Sequence, residues 1–115
     1  FTPPNIVFPI VWTILYTLMG ISAARIKQSN DADKSKALKT YLLQLGVNFF
    51  WSVFFFGLHR YFLAFLWLLF LILLVVRMIK DFADVDLKAA KLQIPYLIWC
   101  CFAAVLNFSV WWLNR

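Results

Sequence analysis

Acidic side chains are scarce in this chain: five aspartates and no glutamate stand against eleven lysines and arginines in 115 residues. Asp31, Asp33, Asp81, Asp84 and Asp86 fall in connections or at helix ends, none inside the long apolar runs. Proton-coupled carriers usually hold an ionisable group at mid-membrane depth, and hydrolytic chemistry needs paired acids or a nucleophile beside a base. The runs offer neither. Histidine is reduced to His59, at a break between two runs, where it reads as an interfacial residue rather than a ligand. The two cysteines, Cys100 and Cys101, are neighbours in one run. On a helix they point about 100° apart and do not bridge each other, so they read as small buried apolar residues. With no histidine at membrane depth, neither a metal ligand set nor a cofactor is expected.

What the chain has instead is apolar bulk: 64% of its residues are hydrophobic, 20% aromatic and 14% charged, with a mean hydropathy of +0.82. No soluble domain of this size hides so much apolar surface. A hydrocarbon core of about 30 Å takes about 20 apolar residues per helix. Four such stretches occur, at about 5–25, 38–58, 61–80 and 90–113. The predicted fold is all-α, a polytopic membrane helical bundle forming one transmembrane domain. Thr2-Pro3-Pro4 suits a helix start, Arg25 and Lys27 close the first span, and Pro95 falls in the first turns of the fourth. Strands are excluded because an open sheet leaves unsatisfied edges in lipid, and four spans are too few to close a barrel.

Charge sets the orientation. Arg25, Lys27, Lys34, Lys36 and Lys39 lie around the first connection and Arg77, Lys80, Lys88 and Lys91 around the third, whereas the opposite side holds Arg60 and Arg115. In a bacterial cytoplasmic membrane the side with nine cations faces the cytoplasm. The net charge of +6 is thus a topology signal. A nucleic-acid partner would need a soluble basic surface, and none is expected. Residue 1 is phenylalanine, and the loop-like Phe-Thr-Pro-Pro opening suggests chain upstream. No signal peptide, lipidation motif or solenoid repeat is visible.

Polar residues inside the spans recur at helical spacing. Pro9, Trp12, Thr13, Tyr16 and Gly20 share a stripe in the first span, and Tyr41, Gln44, Asn48, Trp51 and Ser52 share one in the second. Pro95, Trp99, Phe102, Ala103, Leu106 and Asn107 form a third, in the last span. The third span has almost nothing polar and reads as a lipid-facing or dimer face. Composition favours interhelical glue as the role of these stripes. Depth adds a second reading: at about 1.5 Å per residue, Trp12, Trp51 and Asn107 each lie roughly 10 Å below the outward surface, and Trp99 roughly twice as deep. Together they would line a tapered cavity open outward. Trp111 and Trp112, near a helix exit, read as an interfacial belt.

The opening Pro3-Pro4-Asn5-Ile6-Val7-Phe8-Pro9, with Val11-Trp12-Thr13 and Leu15-Tyr16-Thr17-Leu18-Met19-Gly20, resembles the start of the second helix of the TspO/MBR family of tryptophan-rich sensory and translocator proteins. Tyr41, Gln44-Leu45, Asn48, Trp51-Ser52 and Phe55-Phe56-Gly57 resemble its third helix. Ala89-Ala90, Leu92, Pro95-Tyr96-Leu97, Trp99, Phe102-Ala103 and Leu106-Asn107 resemble its fifth. The resemblance covers essentially the whole chain. It implies a five-helix fold of which four helices are present, the first helix and most of a lidding loop lying upstream, and it makes a homodimer possible.

By the same resemblance the ligand is a porphyrin or haem, held by Trp12, Tyr16, Asn48, Trp51, Trp99, Phe102, Ala103, Leu106 and Asn107. A flat aromatic ligand stacks on indole and phenyl rings, Asn48 or Asn107 would bond its polar periphery, and His59 or Arg60 would attract its carboxylates. Without an axial ligand in the membrane, free-base porphyrin is expected to bind at least as well as haem. The family implies three roles: a porphyrin sensor or carrier first, then light-dependent porphyrin degradation through oxidation of Trp12 or Trp99, then a regulatory scaffold without turnover. Animal members bind sterol through a motif that needs a tyrosine, and Phe108 breaks that pattern here.

Overall fold

The computed structural model describes residues 7–114, with side chains from residue 10 onward. The Thr2-Pro3-Pro4 helix start, Asn5 and Ile6 of the expected first span, the Pro9 side chain and Arg115 lie outside the described residues. Four helices are long and apolar enough to cross a membrane, and no strand occurs among the described residues. Helix α1 spans Val7–Gln28, α2 Lys34–Ser52, α3 Tyr61–Val85, α4 Leu87–Leu92 and α5 Ile94–Asn114. The chain is an all-α membrane bundle.

The expected boundaries differ from the observed ones where a helix outlasts its apolar run. Helix α2 starts at Lys34 rather than at 38, because the polar connection before it is a built turn. There the Ser29 hydroxyl accepts from the Asp31 N–H at 3.0 Å, and the Asp31 carboxylate accepts from the Asp33 N–H at 2.8 Å. Helix α3 runs to Val85 rather than to 80, stopping where Asp86 turns extended and its carboxylate accepts from the Lys88 N–H, capping α4. The fourth span is broken. Pro95 has no N–H to give the Lys91 carbonyl, and the break falls just before it, at Gln93, between α4 and α5.

At the opposite end α2 passes into a π-helical turn, Val53–Gly57, with the Leu58 N–H bonded to the Val53 carbonyl at 2.9 Å. The chain reverses through Leu58, His59 and Arg60. His59 has φ 53°, a left-handed conformation uncommon for a residue with a Cβ.

Helix α3 was expected to be lipid-facing or a dimer face. In the structure it has two faces. Ala64, Leu68, Leu71, Val75, Met78 and Phe82, at three- and four-residue steps, are buried against α2 and α5, while Leu66, Leu69, Leu73 and Val76 are exposed. A span without polar residues hides which side packs, since lipid and core are equally apolar. Cys101 also departs from expectation: Cys100 is buried but Cys101 is exposed, as a 100° step along a helix demands.

Ion pairs tie together the two cation-rich connections, which share one end as the charge pattern requires. Arg25 Nε meets Asp86 at 2.8 Å, and Asp81 receives Lys36 at 3.9 Å and Arg77 at 4.0 Å. The Arg25 guanidinium, hydrogen-bonded to Asp86, holds that carboxyl below the usual carboxylate range. A depressed acid stabilises the folded state above its unfolded pKa, and that contribution disappears as pH falls through the lowered folded value. The difference in melting temperature between wild type and Asp86→Asn, which keeps a capping oxygen, is therefore expected to hold from neutral pH down to about pH 4 and to vanish below it. A pH-independent difference in thermal unfolding would remove the charge from this account.

Candidate ligand-binding site

The site residues are set by how α1 lies along α4 and α5. Ser22 Oγ donates to the Ala89 carbonyl at 2.7 Å, both residues buried. Ala89 and Ala90 are small enough to admit that approach. From this contact the antiparallel helices step equally in opposite directions, to Arg25 with Asp86 at one end and Trp12 with Trp99 at the other. The Trp12 and Trp99 rings meet edge to face, with centroids 6.1 Å apart. Trp12 stacks on Tyr16 one turn along α1 at 5.2 Å, and Trp99 tilts against Phe102 at 5.3 Å. Gly20 and Ala24, the small pair of α1, are exposed, and nothing lies within 4 Å of a Cβ added at Gly20.

Between α1 and α5 lies a cleft of about 550 Å³ lined by Val11, Ile14, Leu15, Pro95, Ile98, Trp99 and Phe102. Its volume is that of a small-molecule pocket, roughly 300–1,000 Å³. Its walls are carbon almost throughout, which suits a ligand recognised by shape and ring stacking. Pro95, at the start of α5, is itself part of those walls. Polar groups stand behind the rings. The Tyr16 hydroxyl lies beside the Asn48 side chain, and the fully buried Tyr96 donates to Gln44 Oε1 at 2.7 Å.

Trp51 and Asn107 do not join Trp12 at one depth. Trp51 Nε1 donates to Asn107 Oδ1 at 3.0 Å, and Asn107 Nδ2 donates to the Tyr61 carbonyl at 2.8 Å, a clamp that closes α2, α3 and α5 on each other. Asn107 has no exposed surface and is engaged at both ends. The expected site residues therefore fall into two groups: Trp12, Tyr16, Trp99 and Phe102 around the cleft, and Asn48, Trp51, Ala103 and Asn107 inside the bundle, with Leu106 half-buried on α5. His59 and Arg60 are not beside the cleft. They line a separate recess of about 410 Å³ with Trp111 and Asn114, roughly 14 Å along α5 from Phe102.

Sequence reasoning missed the aliphatic lining, Val11, Ile14, Leu15 and Ile98, because aliphatic residues carry no signal in an apolar span. It also missed Tyr96. The clue was Gln44, a buried amide in the second span that needed a partner. Among the described residues no three His, Cys, Asp or Glu side chains converge as a metal site would need.

Comparison with known sequences decides the family. The TspO/MBR family profile matches residues 1–113. The chain belongs to the TspO/MBR family. It is 41% identical over 114 residues to protein CrtK of Rhodobacter capsulatus, covering 97% of this chain and 71% of that one. It is 38% identical over 114 residues to the tryptophan-rich protein TspO of Archaeoglobus fulgidus, covering 99% and 74%. With the translocator protein of Ovis aries it shares 32% over 116 residues, covering 98% and 69%. On the described residues, the TspO/MBR motifs quoted from the sequence sit in α1, in α2 with its π-helical turn, and in α4–α5. Of these, α1 and α5 build the cleft, and α2 and α5 build the clamp behind it with Tyr61 of α3.

Proposed function

We propose that this TspO/MBR protein is a receptor or carrier that binds a porphyrin in the cleft between α1 and α5, in the cytoplasmic membrane of a bacterium with the cation-rich end inside. One observation carries the reading: Trp12 and Trp99, from different helices, meet at 6.1 Å beside a carbon-walled cleft of about 550 Å³. Trp99 and Phe102 line the cleft on α5 and Trp12 adjoins it, so a flat ring entering between α1 and α5 would stack on the α5 rings and lie against the aliphatic Val11, Ile14 and Leu15 of α1. Asn48, beside the Tyr16 hydroxyl, is the amide we assign to the ligand's polar edge. Trp51 and Asn107 hold the wall and do not touch the ligand.

The test is a titration of the detergent-purified protein with protoporphyrin in the dark, read by fluorescence quenching. Wild type is expected to saturate. Each ring contact is worth about 0.5–1.5 kcal/mol beyond buried area, so the Trp12→Phe, Trp99→Phe double variant, which keeps rings but smaller ones, is expected to bind roughly tenfold more weakly. Quenching that never saturates, or that the double variant leaves unchanged, would indicate partitioning into the micelle and overturn the reading.

A further inference from the structure

The positive charge at the basic end is unevenly neutralised. On the α1–α4 edge Arg25 and Asp86 pair at 2.8 Å. On the α2–α3 edge a single buried carboxylate, Asp81, takes a hydrogen bond from Thr40 at 2.9 Å and two long ion pairs, from Lys36 and Arg77. Both of those cations stay largely in solvent, with side chains 61% and 64% exposed. Lys39 is one turn from Lys36 and Lys80 one turn from Arg77; both are exposed and neither is ion-paired among the described residues. Asp84, a turn beyond Lys80, offsets part of the excess and leaves the edge positive.

Geometry gathers these cations. Thr40 and Asp81 mark where α2 and α3 touch. In an antiparallel pair, residues that precede the touching position by one or four places fall on the same side of the groove in both helices. Lys36 and Lys39 on α2, and Arg77 and Lys80 on α3, satisfy that rule, and the shared contact of Lys36 and Arg77 with Asp81 agrees with it. On the same flank, one turn deeper than Lys39 and than Arg77 respectively, stand Leu43, 55% exposed, and Leu73, 69% exposed. The surface is thus basic at the membrane interface and apolar immediately below.

We propose that this groove between α2 and α3 is a binding site for an anionic phospholipid of the leaflet at the basic end, the phosphodiester held by Lys39 and Lys80 and the acyl chains lying on Leu43 and Leu73. Asp81 draws on Lys36 and Arg77, at 3.9 and 4.0 Å, which leaves Lys39 and Lys80 to close on the headgroup. A soluble anion would use the cations alone, whereas a lipid uses both halves. The site is on the face of α2 turned toward α3 and does not depend on the porphyrin reading.

The test is native mass spectrometry of the protein released from mixed micelles holding equal amounts of phosphatidylglycerol and phosphatidylcholine. Wild type is expected to retain phosphatidylglycerol in preference. A cation near a membrane surface is worth about 1 kcal/mol toward anionic lipid, so Lys39→Gln with Lys80→Gln is expected to lower retention roughly tenfold or more. Lys88→Gln with Lys91→Gln, which removes the same charge at the same end but on α4, is expected to leave retention unchanged. Equal loss in both variants would mean a diffuse field, and loss in neither would mean no site; either overturns the proposal. Inorganic phosphate added in millimolar excess is expected not to displace the lipid, and full displacement would assign the groove to the free ion instead.

Discussion

Replacing Asn107 with leucine is expected to destabilise the detergent-solubilised protein by about 2 kcal/mol, one of the larger effects available from a single side chain here. Leucine nearly matches asparagine in shape, so little of the loss comes from packing. It comes from two lost hydrogen bonds: the one from the buried Trp51 Nε1–H at 3.0 Å, which leaves that donor without a partner, and the one to the part-buried Tyr61 carbonyl at 2.8 Å. In a soluble core each orphan costs about 1–3 kcal/mol. Bonds between membrane helices average only about 0.6 kcal/mol and reach about 1.7, because the unfolded helices find other partners in the membrane. The lower scale governs, and two groups bring the sum near 2 kcal/mol. Trp51→Phe removes the donor alone and is expected to cost about half as much. The double variant is expected to cost less than the two single variants together, since Trp51 and Asn107 no longer orphan each other. Additivity in thermal unfolding would mean that this contact carries no energy.

The clamp also shows where reading the sequence works and where it stops. Trp51 and Asn107 were placed at one depth by counting residues from the outward ends of their helices, and they meet. The same count put Trp12 with them and Trp99 deeper, whereas the structure sets Trp12 against Trp99. Counting assumes that helices end flush. The contacts from Arg25–Asp86 through Ser22–Ala89 to Trp12–Trp99 put the first described residues of α1 roughly 15 Å short of the end of α5. Nothing local in α1 or α5 records that offset, since it is set by Ser22 finding the Ala89 carbonyl. The spans were legible because apolar length is dictated by the bilayer, and the shared basic end because charge asymmetry is dictated by insertion. Helix ends were not, because a residue such as Asp86 stops a helix past the end of its continuous apolar run. The cleft was half legible: its rings stand out in the sequence, while its aliphatic walls look like any lipid-facing surface.

Ala89→Leu carries the offset into function, and it is expected to lose about 2–3 kcal/mol of stability together with porphyrin binding. Ala89 has no exposed surface, and its carbonyl lies 2.7 Å from Ser22 Oγ, so α1 rests against the α4 backbone at this point. Three added carbons cannot enter without pushing α1 away. The Ser22 bond then breaks, and the helix that carries Trp12 turns about its remaining contacts, opening the 6.1 Å approach to Trp99. No residue lining the cleft is changed, yet protoporphyrin quenching is expected to weaken at least as much as in the Trp12→Phe, Trp99→Phe variant, because both walls lose their spacing at once. Ala24→Leu, on the exposed side of the same helix, is the control and is expected to stay within about 0.5 kcal/mol of wild type with binding unchanged. Thermal unfolding and the dark titration, run on both variants, separate the possibilities. If Ala89→Leu loses stability but binds protoporphyrin as wild type does, the cleft between α1 and α5 is not where the porphyrin sits.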